Sequence, residues 1–353
     1  MNTATPTTAS YAALKACVQF NCDVADARHG TDYSLCTYLM KMREYYRWEK
    51  GLPFGAHLPK EDLGYWLSSR ERHWQALEEE EFRPLDIDGV DYDPYATEAI
   101  NQALLDSGLV YSGGLGQQGK PHFFLGTLDR YQRSQEMTIM IAGRELARDL
   151  GSPPAMALGN LVLVRRESLR RMLWERLETW RWNRPENALA RAFAGYDFEG
   201  DLEQALDRMT EDELDLVLWH EIGEQRAGQQ LGDDWNQMLL SLSGTPAELM
   251  ARAVRDHLAD SLTTLPALVR TARASSIHFF IGNLGHMRRE IFPSLQLAYR
   301  DWLQAADASV FNPLIERARE HWASLAHNLL QAYLRSAEMS PQRVKELVEQ
   351  SHL

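Results

Sequence analysis

Three polar residues interrupt an otherwise apolar run in LVLWHEIGEQRAG, residues 216–228: His220, Glu221 and Glu224. Helical spacing puts His220 and Glu224 one turn apart on one face, with the small residues Gly223 and Ala227 beside them. A neutral imidazole nitrogen and a carboxylate so placed can share a divalent ion. Glu221, rotated by about 100° around the axis, can then reach a metal-bound water as general base. Leu216 to Trp219 wrap the helix on all sides, so the chain is expected to be buried where it reaches His220. The same residues also permit a purely structural arrangement, with His220 bonded to neighbours, Glu224 paired to Arg226 or to an arginine of another helix, and Gly223 admitting a close neighbour.

Further ligands are sought on the next helix, RAVRDHLAD. Its apolar stripe, Met250, Val254, Leu258, Ser261 and Leu265, leaves His257 at the flank of the buried face and Asp260 one turn further round, with Asp256 nearly opposite. His257 is the expected third ligand. Asp260 is a ligand or the carboxylate that orients an imidazole. The segment SSIHFFIGNLGHMRREIF repeats the pattern with His278, Asn283, His286 and Glu290, and its Gly282 and Gly285 suggest close approach by a neighbour. Zinc suits the site first, and a ligand set rich in oxygen suits iron or manganese.

The pentapeptide from His220 to Glu224 resembles the HExxH element of zinc metallopeptidases, in which two histidines bind zinc and the glutamate is general base. Glu224 stands where the second histidine belongs. The resemblance implies a metal-dependent hydrolase acting on a peptide or small-molecule substrate, with His220 and Glu224 at the metal and Glu221 as base; His257 and Asp260 are added to the metal from their places on the next helix. A different reading is a non-haem iron oxidase or oxygenase built on facing helices, although the paired Glu-x-x-His elements of a di-iron bundle are missing. A third is a non-catalytic helical scaffold or regulator that binds a partner through its acidic surface or through WERLETWRW, with Trp174, Trp180 and Trp182.

The elements that must position these residues are mainly α-helical. Periodic apolar residues predict helices over 12–24, over YSLCTYLMKMREYYRWEKG ending at Gly51, over EDLGYWLSSRERHWQALEEEEF and over ATEAINQALLDSG. FRPLDIDGVDYDPY reads as a loop. Residues 108–165 change character, with GLVYSGG, HFFLGTLDRY, EMTIMIAG and NLVLVRR predicting a small antiparallel β meander, and SGGLGQQGK and GSPPAMALG as connecting loops. Beyond Glu167 the chain is helical again, with a helix over DLEQALDRM, a new one capped at Thr210 with Glu213 completing a capping box, and a long helical stretch from Ala267 to Glu290. The expected division is an N-terminal helical region over 1–105, the meander over 106–166, and a C-terminal helical region over 167–353 that carries the site.

The composition bounds the partners. With 37 Lys and Arg against 50 Asp and Glu, the net charge of −13 disfavours nucleic acid. No apolar run approaches the ~20 residues that cross a bilayer, and the opening residues lack a signal-peptide pattern, so a cytoplasmic, bacterial-type soluble protein is expected. Cys17, Cys22 and Cys36 suit reduced thiols. The group Arg28, His29, Arg43, Glu44, Tyr45, Arg47 and Trp48 reads as an ion-paired aromatic helix or as an anion clamp. Nucleotide-binding glycine motifs and the G-x-S-x-G elbow are absent from the sequence.

Overall fold

The computed structural model describes residues 8–116, 119–335 and 340–353. The chain divides into two compact units, residues 1–174 with 198–207, and residues 175–197 with 208–353.

The first unit begins with helices α1 (Thr8–His29), α2 (Leu35–Lys50) and α3 (Lys60–Gln75). The ends of α2 follow from its sequence. Ser34 accepts from the Thr37 amide, and Gly51 takes the left-handed conformation at φ 62° that lets its N–H close the last turn. The aspartate-rich loop is in fact a short hairpin, β1 (Leu85–Ile87) and β2 (Val90–Tyr92), turned at Asp88 and Gly89. After α4 (Thr97–Leu104) come β3 (Leu109–Leu115), β4 (Pro121–Arg133), β5 (Thr138–Arg148), β6 (Ala155–Leu158) and β7 (Leu161–Arg165).

These last five strands form one sheet of order β3-β4-β5-β7-β6, and it is not a simple meander. The residues read as the loop GSPPAMALG contain β6, which pairs antiparallel with β7 on its outer side, and β7 therefore returns parallel to β5. Alternation along β4 sends Phe123 and Leu125 toward Leu14, Val18 and Cys22 of α1, while Phe124 packs on the opposite face with Val110, Met140 and Leu163.

Helix α5 (Arg166–Asn183) follows β7, and then α6 (Ala188–Phe193). Next is α7 (Leu202–Leu231), a single 30-residue helix that runs through Thr210, where a helix start was expected. Thr210 is buried in mid-helix, and neither glycine nor proline interrupts the chain between Leu202 and Gly223. The rest of the second unit is α8 (Asp233–Ser241), α9 (Pro246–Ala259), a π-helical turn (Asp260–Thr264), α10 (Leu265–Thr271), α11 (Ala274–Asn283), α12 (His286–Ile291), α13 (Pro293–Ala305), α14 (Asn312–Arg335) and α15 (Pro341–Glu349). The stretch expected as one helix from Ala267 is thus three, broken where Ala272 turns left-handed at φ 49° and again before His286. Helix α9 is held at its start by the Thr245 cap and by Glu248, which accepts from the Gly244 amide, and it packs against α14 and α15 around Val254, Trp322 and Val344. No helix among the described residues is long and apolar enough to cross a membrane.

Candidate functional site

The site is assembled in the second unit where α7 meets the π-helical turn. Two packing features bring them together. Gly223 faces the backbone of Ala259, where a Cβ would fall 2.4 Å from the carbonyl oxygen. The Thr263 hydroxyl donates to the Trp219 carbonyl at 2.6 Å. Inserting one residue into the helix after Ala259 re-aims Asp260, as π-turns do.

Asp260 then accepts from His220 Nδ1 at 2.8 Å, and on its other oxygen from Arg288 of α12. On the far side of the imidazole, Nε2 lies 3.6 Å from Glu224, and Glu224 accepts from Arg255 at 3.1 Å. The result is a continuous chain of charges, Arg288, Asp260, His220, Glu224, Arg255, with a guanidinium at each end. It is closed at Asp260, 1% exposed, and open at His220 and Glu224, 27% and 25% exposed.

The electrostatics follow from this order. Burial opposes the His220 imidazolium, yet Asp260, its hydrogen bond and Glu224 outweigh that cost and raise the imidazole to about 10. Burial likewise opposes the Asp260 charge, and Arg288 with His220 holds the carboxyl far below its ordinary range. Glu224 is also held low, against burial, by Arg255, His220 and a hydrogen bond from Asp256. Two neighbouring carboxyls go the other way. Glu221 is pushed up to about 7 by burial and by Glu224, and Asp256 is raised by burial despite Arg288. One cluster therefore holds two carboxylates kept charged beside one carboxyl raised to about 7 and another raised above its ordinary range, the kind of separation that acid–base sites use.

Of the residues singled out in the sequence, His220, Glu224 and Asp260 come into contact, Glu221 lies near enough to feel the charges of Glu224 and His220, and His257 does not join them. Its Nε2–H donates to the Arg288 carbonyl at 2.9 Å, and its ring is stacked on Trp322 and edge-on to Phe292. Burial and Arg288 lower it to about 3, so it is neutral and serves packing. His278 shares a hydrogen bond with Tyr299, and His286 and Glu290 are exposed. Gly282 is tight against Leu189 of α6, whereas a Cβ on Gly285 would meet nothing. Ser261 and Thr263 spend their hydroxyls on backbone carbonyls. In the first unit the Arg43–Trp48 helix is ion-paired within itself, with buried Glu44 accepting from Arg43 and Arg47.

Glu224 pairs with an arginine of another helix, as the structural arrangement allowed, but that the residue is Arg255, and that Arg288 meets Asp260, was not legible in the sequence. Each sits 28 to 31 residues from its acid partner, and only the approach of three helices reveals the pairing. Their presence changes what the cluster can hold. A dication at His220 would need a deprotonated ring, and it would share Glu224 and Asp260 with two fixed guanidiniums, a poor fit of charge. Among the described residues, no group of three or more His, Cys, Asp or Glu side chains is arranged to hold a metal ion.

Comparison with known proteins gives two matches. Residues 13–165 match the N-terminal domain, and residues 170–351 the C-terminal domain, of a family of unknown function (DUF6866). No curated protein and no solved structure matches the chain.

Proposed function

The chain belongs to this family of unknown function, and we propose that its second unit carries an acid–base hydrolytic site that works without a metal. Glu221 transfers the proton, taking it from the attacking water and returning it to the leaving group. His220, held as an imidazolium by Asp260, faces the charge that develops on the substrate oxygen. The supporting observation is the chain of contacts from Arg288 through Asp260 and His220 to Glu224 and Arg255, which fixes both the orientation and the charge of the imidazole beside a carboxyl raised to about 7.

A metal-dependent hydrolase is the second reading, favoured by the 3.6 Å approach of His220 Nε2 to Glu224 on one face of α7. It requires His220 to lose its proton and Arg255 to withdraw. The two readings separate in an assay of full-length protein on activated carboxylic and phosphate esters, with and without a chelator. Acid–base hydrolysis survives the chelator, follows an apparent pKa near 7 and falls on the order of 10²- to 10⁴-fold in Glu221→Gln. Loss of activity in chelator with recovery in zinc would support the metal reading instead.

A further inference from the structure

Arg165 closes β7 in the first unit, and its environment is unlike that of the other buried arginines. The side chain is 0% exposed, and its guanidinium carbon lies 4.0 Å from the centre of the Phe124 ring. None of Nε, Nη1 and Nη2 has a hydrogen-bond partner. Arginine keeps its charge at any pH a protein meets and presents five N–H donors, so an enclosed guanidinium without a hydrogen-bond partner is undercompensated even with the charges of Asp149 and Glu145 nearby. The acids around it are already engaged. Glu145 accepts from Arg171, Ser152 and Ser168, and Asp149 accepts from the Ser152 and Phe123 amides. Asp26 accepts twice from the Leu150 amide, and burial together with Asp149 drives it toward its neutral form.

Three enclosed guanidiniums, Arg148, Arg165 and Arg171, stand among the enclosed acids Glu145, Asp149 and Asp26, whose oxygens are taken by other donors. Two more buried nitrogens, Arg148 Nη1 and His122 Nδ1, also lack hydrogen-bond partners. The unmet groups thus include four guanidinium nitrogens. In the same unit a groove of about 750 Å³ is lined by Asp26, Tyr33, Tyr38 and Trp74, and Asp26 accepts from the Leu150 amide.

We infer that Arg165 anchors an internal binding site for a small oxyanion, a carboxylate or phosphate group enclosed beside the Phe124 ring. Bidentate pairing with one such group would give two of the three unpartnered Arg165 nitrogens a charged acceptor. The site lies in the first unit and is independent of the acid–base reading at His220.

The test is thermal unfolding of full-length protein, dialysed into chloride buffer and titrated at constant ionic strength with inorganic phosphate and, separately, with acetate. Wild type is expected to gain several degrees in a saturable manner with one of the two anions, and the more effective anion identifies the group. Arg165→Met, apolar and of similar length, should lose that dependence. A wild type indifferent to both anions overturns the proposal. An Arg165→Met variant that keeps the full shift also overturns it, because the anion then binds at the surface. If Arg165→Met does not fold, Arg165→Lys decides, with at least a tenfold weaker midpoint expected and an unchanged midpoint refuting the site.

Discussion

Replacing Gly223 by alanine tests whether α7 and the π-helical turn are in the contact that builds the site. A Cβ there would lie 2.3 Å from Thr263 Oγ1 and 2.4 Å from the Ala259 carbonyl oxygen, at least 0.6 Å inside the 3.0 Å that real Cβ atoms keep. The obstructing atom is backbone, so no rotamer change relieves it and α7 must move. Overpacking of this kind costs roughly 1–3 kcal/mol, and the exchange of glycine for alanine within a helix returns about 1 kcal/mol. With a rigid obstacle the upper part of that range applies, leaving a net loss of about 1–2 kcal/mol. Gly228 supplies the control, because it lies five residues along the same helix and has nothing within 4 Å of its would-be Cβ. Gly228→Ala should gain up to about 1 kcal/mol. Urea unfolding of the two full-length variants, followed by circular dichroism, measures both. Opposite signs are expected. A Gly223→Ala variant as stable as Gly228→Ala would refute the close approach and with it the geometry that holds Asp260 against His220.

Two further predictions concern protonation. The His220 imidazole is raised from 6.5 to about 10, so its contribution to stability is complete below pH 6.5 and disappears as the pH climbs through about 10. In Asp260→Asn this loss of stability between pH 6.5 and 10, on the order of a few kcal/mol in wild type, should shrink to a fraction, as read from unfolding midpoints across the range. Glu213, buried on α7 and hydrogen-bonded by the Ser276 hydroxyl, is pushed up to about 8 by burial, so the folded protein favours its neutral form and loses stability as pH rises from 4.5 to 8. Glu213→Gln should therefore stabilise the protein by up to about 4 kcal/mol at pH 8 and leave it unchanged near pH 4.5, and a gain independent of pH would contradict the assignment.

Much of the helical layout is legible in local chemistry. Ser34 and Gly51 bound α2 because a hydroxyl cap and a left-handed glycine act within a few residues, and the helical spacing of His220 and Glu224 is read from the chain alone. What the chain does not show is set by distant partners. The parallel pairing of β5 with β7 depends on the short strand β6 inside a proline-containing connection that looks like a loop. Thr210 and Glu213 have the types of a helix start, yet they lie in the interior of α7, where burial and the Ser276 hydroxyl replace capping. The π-turn that aims Asp260, and the arrival of Arg255 and Arg288 at the acids, come from tertiary packing. Those two arginines decide the character of the site, because each takes a carboxylate that spacing alone offers to a metal.

The protonation state of His220 therefore tests the account most directly. Nitrogen NMR of the histidine side chains, with His220 assigned through a His220→Gln variant, reports it. Both ring nitrogens are expected to be protonated near pH 7, with loss of a proton only at about 10 and no change on adding an equivalent of zinc. A neutral ring near pH 7 whose nitrogen signal moves on binding zinc would contradict this and establish a metal site on α7.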